Sequence, residues 1–391
     1  MAAGVGRGGE LPDSADVVIV GGGVMGTSIA FHLAEAGVER ILLLEKDQLG
    51  SGSTCKAAGG VRANFSDSVN IALGARSLEA FAAFGQRPGQ EIDLHRVGYL
   101  FLLDTEEQVE QFRESTQLQN TLGQPTRMIS VDEAVELAPI VAPDGLVGAC
   151  FSPTAGHCTP ESVVLGYATA ARRLGATLVT GCEVVGIDAV GNHLTAVRTS
   201  RGTVQTGTVI CAAGAWSEGL AASIGVELPV TPLRRQIVVT EAIPDLPAAL
   251  PMTIDFGSTF YFHREGPGLL VGLSDPDEQP GFHLDRTDTW IPRLTDVMGR
   301  RAPSLLDVGL TGGWAGLYEI TPDHNALIGE ADQVSRFLYA TGFSGHGFLQ
   351  GPAVGEVIRD LYLDRKPFVD VSPLNARRFA HSANRAERNI V

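Results

Sequence analysis

The hydrophobic pattern opens with a short apolar run at residues 17–20, directly after Asp16, that no polar position interrupts. A half-exposed strand would alternate, so the run predicts a strand covered on both faces in a parallel sheet. Gly21-Gly-Gly23-Val-Met-Gly26 follows at once, and the spacing of Ile29 and Leu33 predicts a helix over 27–36. Gly37 closes that helix as a left-handed cap. Three leucines at 42–44 form the next strand, with Glu45 at its end. Further along, 162–174 reads as a helix and 177–187 as a strand, while 236–240 and 269–273 read as strands of a mainly antiparallel sheet with one wet face. No internal repeat or low-complexity tract appears, and no apolar run is long enough for a transmembrane helix.

Composition narrows this picture. The chain has 391 residues, enough for two or three folded units at roughly 100–200 residues each. Acidic residues outnumber basic ones 45 to 29, for a net charge of −16, which argues against nucleic acid as a partner because the phosphate term would be repulsive. The first fourteen residues lack the apolar stretch of a signal peptide and read as a flexible tail. Five cysteines, with no CxxC pair, point to free thiols in a reducing cytoplasm and to no metal site. Forty-seven residues are glycine and only Lys46, Lys56 and Lys366 are lysine.

The glycine run has a chemical reading. Gly21, Gly23 and Gly26 lie between a strand and a helix, with an acid, Glu45, at the end of the second strand. Glycines at these positions let the backbone approach a pyrophosphate at the helix N-terminus, and the carboxylate can accept hydrogen bonds from ribose hydroxyls. A dinucleotide is expected there. The small-residue loop Gly50-Ser-Gly-Ser-Thr-Cys-Lys-Ala-Ala-Gly-Gly-Val-Arg62 can wrap phosphates and reach a flavin ring, which a nicotinamide site would not need.

That loop resembles the flavin-contacting loop of the D-amino-acid oxidase/sarcosine oxidase family of FAD-dependent oxidoreductases. Two later segments resemble the same family in the same order: Val209-Ile-Cys-Ala-Ala-Gly-Ala-Trp-Ser217 and Tyr339-Ala-Thr-Gly-Phe-Ser-Gly-His-Gly-Phe348. The resemblance is greatest to the glycine oxidase and sarcosine oxidase β-subunit branch. It implies an α/β Rossmann-type FAD-binding domain, built from about 15–88, 150–220 and 320–367, interleaved with a mainly antiparallel substrate domain from about 89–149 and 221–319. The Arg-rich end, 368–391, is expected as a surface tail.

By the same resemblance the FAD contacts are Gly21, Gly23, Val24, Met25, Gly26, Glu45, Lys46, Ser53, Thr54, Ala58, Gly59, Gly60, Val184, Ala213, Gly214, Trp216, Gly345, His346, Gly347, Phe348 and Leu349. A helix beginning near Gly347 would offer its N–H groups and dipole to the anionic edge of reduced flavin. The implied activity is oxidation of an amino-acid C–N bond, most simply of an N-substituted glycine. Hydride passes from carbon to flavin and the imine is hydrolysed to an amine plus glyoxylate or an aldehyde.

Inside so acidic a chain a substrate carboxylate needs a local cation, and Arg offers bidentate geometry. Arg62 is the candidate, against a structural ion pair. Arg234 and Arg235 read as interdomain salt bridges first and as ligands second. Tyr261, in the aromatic cluster 255–263, and Tyr318 are candidates to line the substrate pocket, as is His346 beside flavin and substrate. Trp216 and Trp314 read chiefly as packing residues.

Three departures from the family pattern bear on the cofactor. The flavin-linking cysteine of one-chain sarcosine oxidases is Gly316 here, and the linking histidine of dimethylglycine dehydrogenase-like enzymes is Lys56, so the FAD should be noncovalent. The lysine that assists oxygen in sarcosine oxidases has no counterpart in 269–273, and the carboxylate-binding lysine is Leu349. Lys56 is thus the lysine expected to act beside the flavin, against the alternative of a solvated loop residue. The acceptor stays open between O2 and a protein partner, as does a homo- or hetero-oligomeric state. The rival readings are a dehydrogenase subunit, for example for L-proline, a substrate-free electron-relay subunit, and a nicotinamide-binding module.

Overall fold

A computed structural model describes residues 10–380 and 385–390 of the chain. The strand Val17–Val20 is buried on both faces, as its apolar run requires: Val17 and Ile19 join one core cluster while Val18 and Val20 join another. It lies inside a six-stranded sheet in the order Leu327–Glu330, Phe337–Thr341, Val209–Cys211, Val17–Val20, Ile41–Leu44, Thr177–Val179. Every neighbouring pair is parallel except the first. Helices Val24–Glu35, Ser68–Ala82, Pro160–Arg173 and Gly347–Tyr362 cover one face, with Val24–Glu35 packed between the last two. A three-stranded antiparallel sheet, Val184–Val190, His193–Thr199 and Gly202–Gln205, covers the other.

The expected single strand over 177–187 is therefore two. Thr177–Val179 ends the parallel sheet and Val184–Val190 starts the antiparallel one, so the intervening Thr180 to Glu183 carries the chain from one layer to the next.

The second large sheet has eight strands in the order Leu310–Ile320, Thr231–Thr240, Gly268–Leu273, Phe260–Glu265, Met252–Asp255, Tyr99–Leu103, Gly148–Ser152, Arg127–Ile129. All its pairs are antiparallel apart from Met252–Asp255 with Tyr99–Leu103. Strand Gly148–Ser152 belongs to this sheet, so the expected boundary at 150 falls inside a strand. The expectation of one wet face also fails over much of the sheet, since Gly268–Leu273 and Tyr99–Leu103 are buried at every position. Helix Ile291–Arg301 and its apolar neighbours cover one side, and the cavity described below lies along the other.

Both expected tails need correction where they are described. Residues 1–9 lie outside the described residues, but Leu11 packs on the core and Ser14 forms a β-bridge with Gln205. The C-terminal segment packs as well. Arg378 makes a buried ion pair with Asp323 at 2.8 Å, and Leu374, Glu387 and Asn389 are buried. An Arg-rich composition suggested a solvated surface; the carboxylates that receive those arginines come from distant parts of the chain. Residues 381–384 and 391 of the same expected tail lie outside the described residues. Among the described residues no helix is long and apolar enough to cross a membrane, and no cluster of three or more His, Cys, Asp or Glu is arranged to hold a metal ion.

Buried histidines give this fold a pH signature. His32, inside helix Val24–Glu35, and His157 are both held down to about 3, chiefly by burial, from an ordinary value of 6.5. The unfolded chain takes up protons at these residues as pH falls through 6.5, whereas the folded chain resists until about 3. Their contribution to stability is complete above the unfolded value and shrinks as pH falls. We expect the denaturant midpoint to drop between pH 7 and 5.5 and His32→Asn to flatten that slope; an unchanged slope in the variant would contradict the assignment.

Candidate active site

The glycine-rich segments and the inner face of the eight-stranded sheet enclose one cavity of about 570 Å3. At one part of its wall stand Gly21, Gly23, Val24 and Met25, where the first strand turns into helix Val24–Glu35. Its N-cap residue, Gly23, supplies no side-chain cap; instead Val24 N–H donates to Thr54 Oγ1 at 3.1 Å, which ties the loop of Ser53 and Thr54 to the helix end. Gly26 does not line the cavity. A Cβ there would lie 1.8 Å from the Gly21 carbonyl oxygen, so its role is to let helix and strand touch.

Glu45 lines the same part and accepts from the Gly22 N–H at 2.7 Å and the Asp47 N–H at 2.8 Å. Burial raises its carboxyl above the ordinary value, and the two amides pull it back. Lys46 lies 3.5 Å over the Trp216 ring, and Trp216 stacks on Phe282, so this tryptophan both packs and lines the cavity. Val184, Ala213 and Gly214 complete this part of the wall.

The loop 56–62 crosses the middle. Lys56, Ala58, Gly59 and Gly60 line the cavity, and Lys56 Cβ packs against Gly316 of strand Leu310–Ile320, where a glycine Cβ would come within 2.5 Å. Trp314 Nε1 donates to the Lys56 carbonyl at 2.9 Å, fixing the loop on the sheet. Facing the loop, helix Gly347–Tyr362 starts from His346, again without a side-chain cap, and presents Gly345, His346, Gly347, Phe348 and Leu349. His346 is buried edge-on to Phe65, with ring centroids 5.1 Å apart. Burial, then Arg62 and His324, hold it well below its ordinary value, so it is a neutral imidazole.

Two helix N-termini whose own N-cap residues supply no side-chain cap thus face one cavity, both suited to negative charge. Together with the loop and Glu45 they fit a dinucleotide. The sequence pattern of the family described as DAO, FAD dependent oxidoreductase, matches residues 16–361. The chain belongs to this family. Its cofactor is FAD.

Among relatives in the family, the glycine oxidase of Geobacillus kaustophilus is 30% identical over 93% of this chain and 97% of its own length. Mitochondrial dimethylglycine dehydrogenase of Rattus norvegicus is 28% identical over 95% of this chain. Only 45% of that relative is matched, so the chain spans about half the length of such mitochondrial dehydrogenases. Among solved structures, L-proline dehydrogenase from P. horikoshii superposes with a TM-score of 0.90 and 32% identity, covering 96% of this chain and all of the other.

The sheet side of the cavity carries Arg62, Tyr261 and Tyr318, together with residues the sequence reading did not single out as site residues: Tyr99, Ile237, Met252, Ile254 and Glu319. Tyr261 stands on the cavity side of its strand while Phe260 and Phe262 turn into the opposite core. Burial raises Tyr99 to about 12 and also raises Tyr261 and Tyr318, so all three remain protonated phenols. Glu319 accepts from Thr341 Oγ1 at 2.9 Å and the Gly342 N–H at 3.0 Å, and burial raises its carboxyl. The adjacent arginines separate. Arg234 pairs with Glu278 at 2.9 Å, while Arg235 enters the cavity wall.

Arg62 is 4% exposed. Its guanidinium donates to the Asn64 carbonyl and, at 2.9 Å, to the Asn389 carbonyl of the C-terminal segment, and lies 4.5 Å over the Phe65 ring. That segment is itself anchored by Glu387, which accepts from Ser66 N–H, Ser66 Oγ and Asn70 Nδ2. Nothing near residue 62 in sequence signals this partner.

Proposed function

We propose that the chain oxidises the C–N bond of an amino acid, most simply an N-substituted glycine, and that Arg62 holds the substrate carboxylate. The observation that carries this reading is the state of Arg62: a buried guanidinium on the cavity wall that forms no ion pair with a carboxylate among the described residues. Other buried arginines do, Arg301 with Asp255 and Arg378 with Asp323. A buried cation without a counter-ion is costly, and an anionic ligand removes that cost. The relatives named for glycine, dimethylglycine and L-proline support a substrate whose amine sits beside a carboxylate.

Bound FAD supplies the two-electron acceptor. The chain's own residues bind and orient. Arg62 takes the carboxylate, and its two carbonyl partners fix the direction of its remaining N–H groups. The apolar side chains of Ile237, Met252 and Ile254 keep water from the reacting carbon. The guanidinium disfavours the ammonium and so favours the neutral amine, the form that has an electron pair to release. Tyr99, Tyr261 and Tyr318 act as neutral hydrogen-bonding groups, and the N-terminus of Gly347–Tyr362 offsets developing negative charge.

The flavin is held noncovalently in this reading. Gly316 and Lys56 offer no linking atom, and burial pushes the Cys55 thiol up to about 11. The cation of Lys56 serves the flavin side of the cavity. The five free thiols suit a reducing compartment, the cytoplasm. Electrons leave to O2 or to a protein acceptor in a homo- or hetero-oligomer, and stoichiometric peroxide selects the former.

The test is anaerobic mixing of the holoprotein with glycine, L-proline and a series of N-alkylglycines. Bleaching of the flavin absorbance by at least one of them is expected. No bleaching by any would overturn the reading in favour of a substrate-free electron relay.

A further inference from the structure

Arg235 is a second cation that the reading above leaves unused. It sits in strand Thr231–Thr240 opposite Gly316 of strand Leu310–Ile320, on the cavity wall. Its guanidinium lies 5.2 Å over the Tyr318 ring, and one Nη donates to the Arg234 carbonyl at 3.0 Å. Its Nε is buried without a hydrogen-bond partner. Arg62 and Arg235 are the arginines that line this cavity, and neither forms an ion pair among the described residues, whereas neighbouring Arg234 does.

Tyr318 lines the cavity with both and carries Arg235 over its ring. Burial raises its phenol while Arg235 first, and Arg62 second, pull it back, so both charges are felt at one ring. The carboxylate on this wall, Glu319, is engaged by Thr341 and Gly342. The substrate side of the cavity therefore holds two guanidiniums that form no ion pair among the described residues, inside a chain whose net charge is −16. A general field of that sign repels dianions, so a dianionic substrate would have to be met at both ends by specific cations.

We propose that Arg235 is a specificity-determining residue that receives a second acidic group, making the preferred substrates secondary-amine dicarboxylates: amino acids whose N-substituent itself ends in a carboxylate. This rests on the reading in which Arg62 binds the α-carboxylate. Tyr318 and the apolar Ile237 line the same cavity and offer a surface for the methylenes that join the two acids. The competing role for Arg235 is to brace Tyr318 through its ring.

A matched pair of substrates separates these roles: N-butylglycine and N-(2-carboxyethyl)glycine, together with their thioether analogues, in which sulfur replaces the amine and no oxidation can occur. Calorimetric titration of the holoprotein with the thioethers and anaerobic flavin reduction by the amines are the two readouts. The dicarboxylate is expected to bind roughly 30-fold or more tightly than its monocarboxylate partner. Arg235→Met should collapse that ratio towards one, and Arg235→Lys should restore part of it. A bracing role lowers both members together and leaves the ratio intact. Equal affinities in the unmodified protein, or an unchanged ratio in Arg235→Met, overturn the proposal while leaving the amino-acid reading standing. If neither amine bleaches the flavin and neither thioether binds, the amino-acid reading falls and this one with it. Should Arg235→Met fail to fold, the ratio in the unmodified protein and in Arg235→Lys decides.

Discussion

Arg62→Met should abolish most turnover of carboxylate-bearing amines while the protein stays yellow. The substitution removes the charge but keeps an unbranched side chain of similar reach, stacked on Phe65 where the guanidinium lay 4.5 Å from the ring centre. Losing one partner of a buried charge pair costs about 2–5 kcal/mol, so kcat/KM should fall by roughly 30- to 5,000-fold. FAD affinity should change little, because the helix N-termini, Glu45 and the glycine-rich loop are untouched. The melting temperature should hold or rise, since the unliganded protein no longer buries an uncompensated cation. Stopped-flow flavin reduction with a reactive N-alkylglycine, beside a measurement of bound FAD, checks this. Turnover within threefold of the unmodified protein would remove Arg62 from the substrate site and hand the carboxylate to Arg235.

Gly26→Ala should be the most damaging single methyl in the chain's first motif. The added Cβ would lie 1.8 Å from the Gly21 carbonyl oxygen, a backbone atom that no side-chain rotation can move aside. Helix Val24–Glu35 would have to withdraw from strand Val17–Val20, at a cost of about 3 kcal/mol or more, and its N-terminus would leave the pyrophosphate position. A colourless, destabilised protein is expected. Gly37→Ala is the matched control. It has positive φ, 83°, but no atom within 4 Å of the added Cβ, so only the backbone penalty of about 1 kcal/mol applies. Retention of FAD in Gly26→Ala, with a melting temperature equal to that of Gly37→Ala, would contradict the close-packing account.

These two residues also mark what a sequence can and cannot say. Gly26 is legible because its physics is local: a strand, a turn and a helix in ten residues leave little choice about which glycine must touch which backbone. Glu45 and the loop to Arg62 are legible for the same reason. Arg235 is not, because Arg234 and Arg235 are the same residue type in adjacent positions. Which one reaches the cavity and which one meets Glu278 depends on the register of strand Thr231–Thr240 against Leu310–Ile320. Tyr99 and Met252 were hidden among apolar neighbours, since their cavity face appears only once Tyr99–Leu103 lies parallel to Met252–Asp255. The C-terminal segment was misread for the opposite reason. Its arginines look like solvent-facing charge, yet Arg378 has a buried carboxylate in Asp323, and the Asn389 carbonyl meets a guanidinium from the start of the chain.

The strand order of the six-stranded sheet has a consequence for how the molecule comes into being. Val18 pairs with Leu42 on one side and with Val209 on the other, and Val209 in turn pairs with Phe337. The nucleotide cradle is therefore a non-local object. Its first motif emerges early during synthesis, but the sheet that supports it closes only after the strand at Phe337–Thr341 has been made. High contact order of this kind slows folding and leaves an apolar strand edge open in the meantime. A fragment ending before that strand contains every glycine of the first motif and lacks the neighbours that would keep a dinucleotide in it.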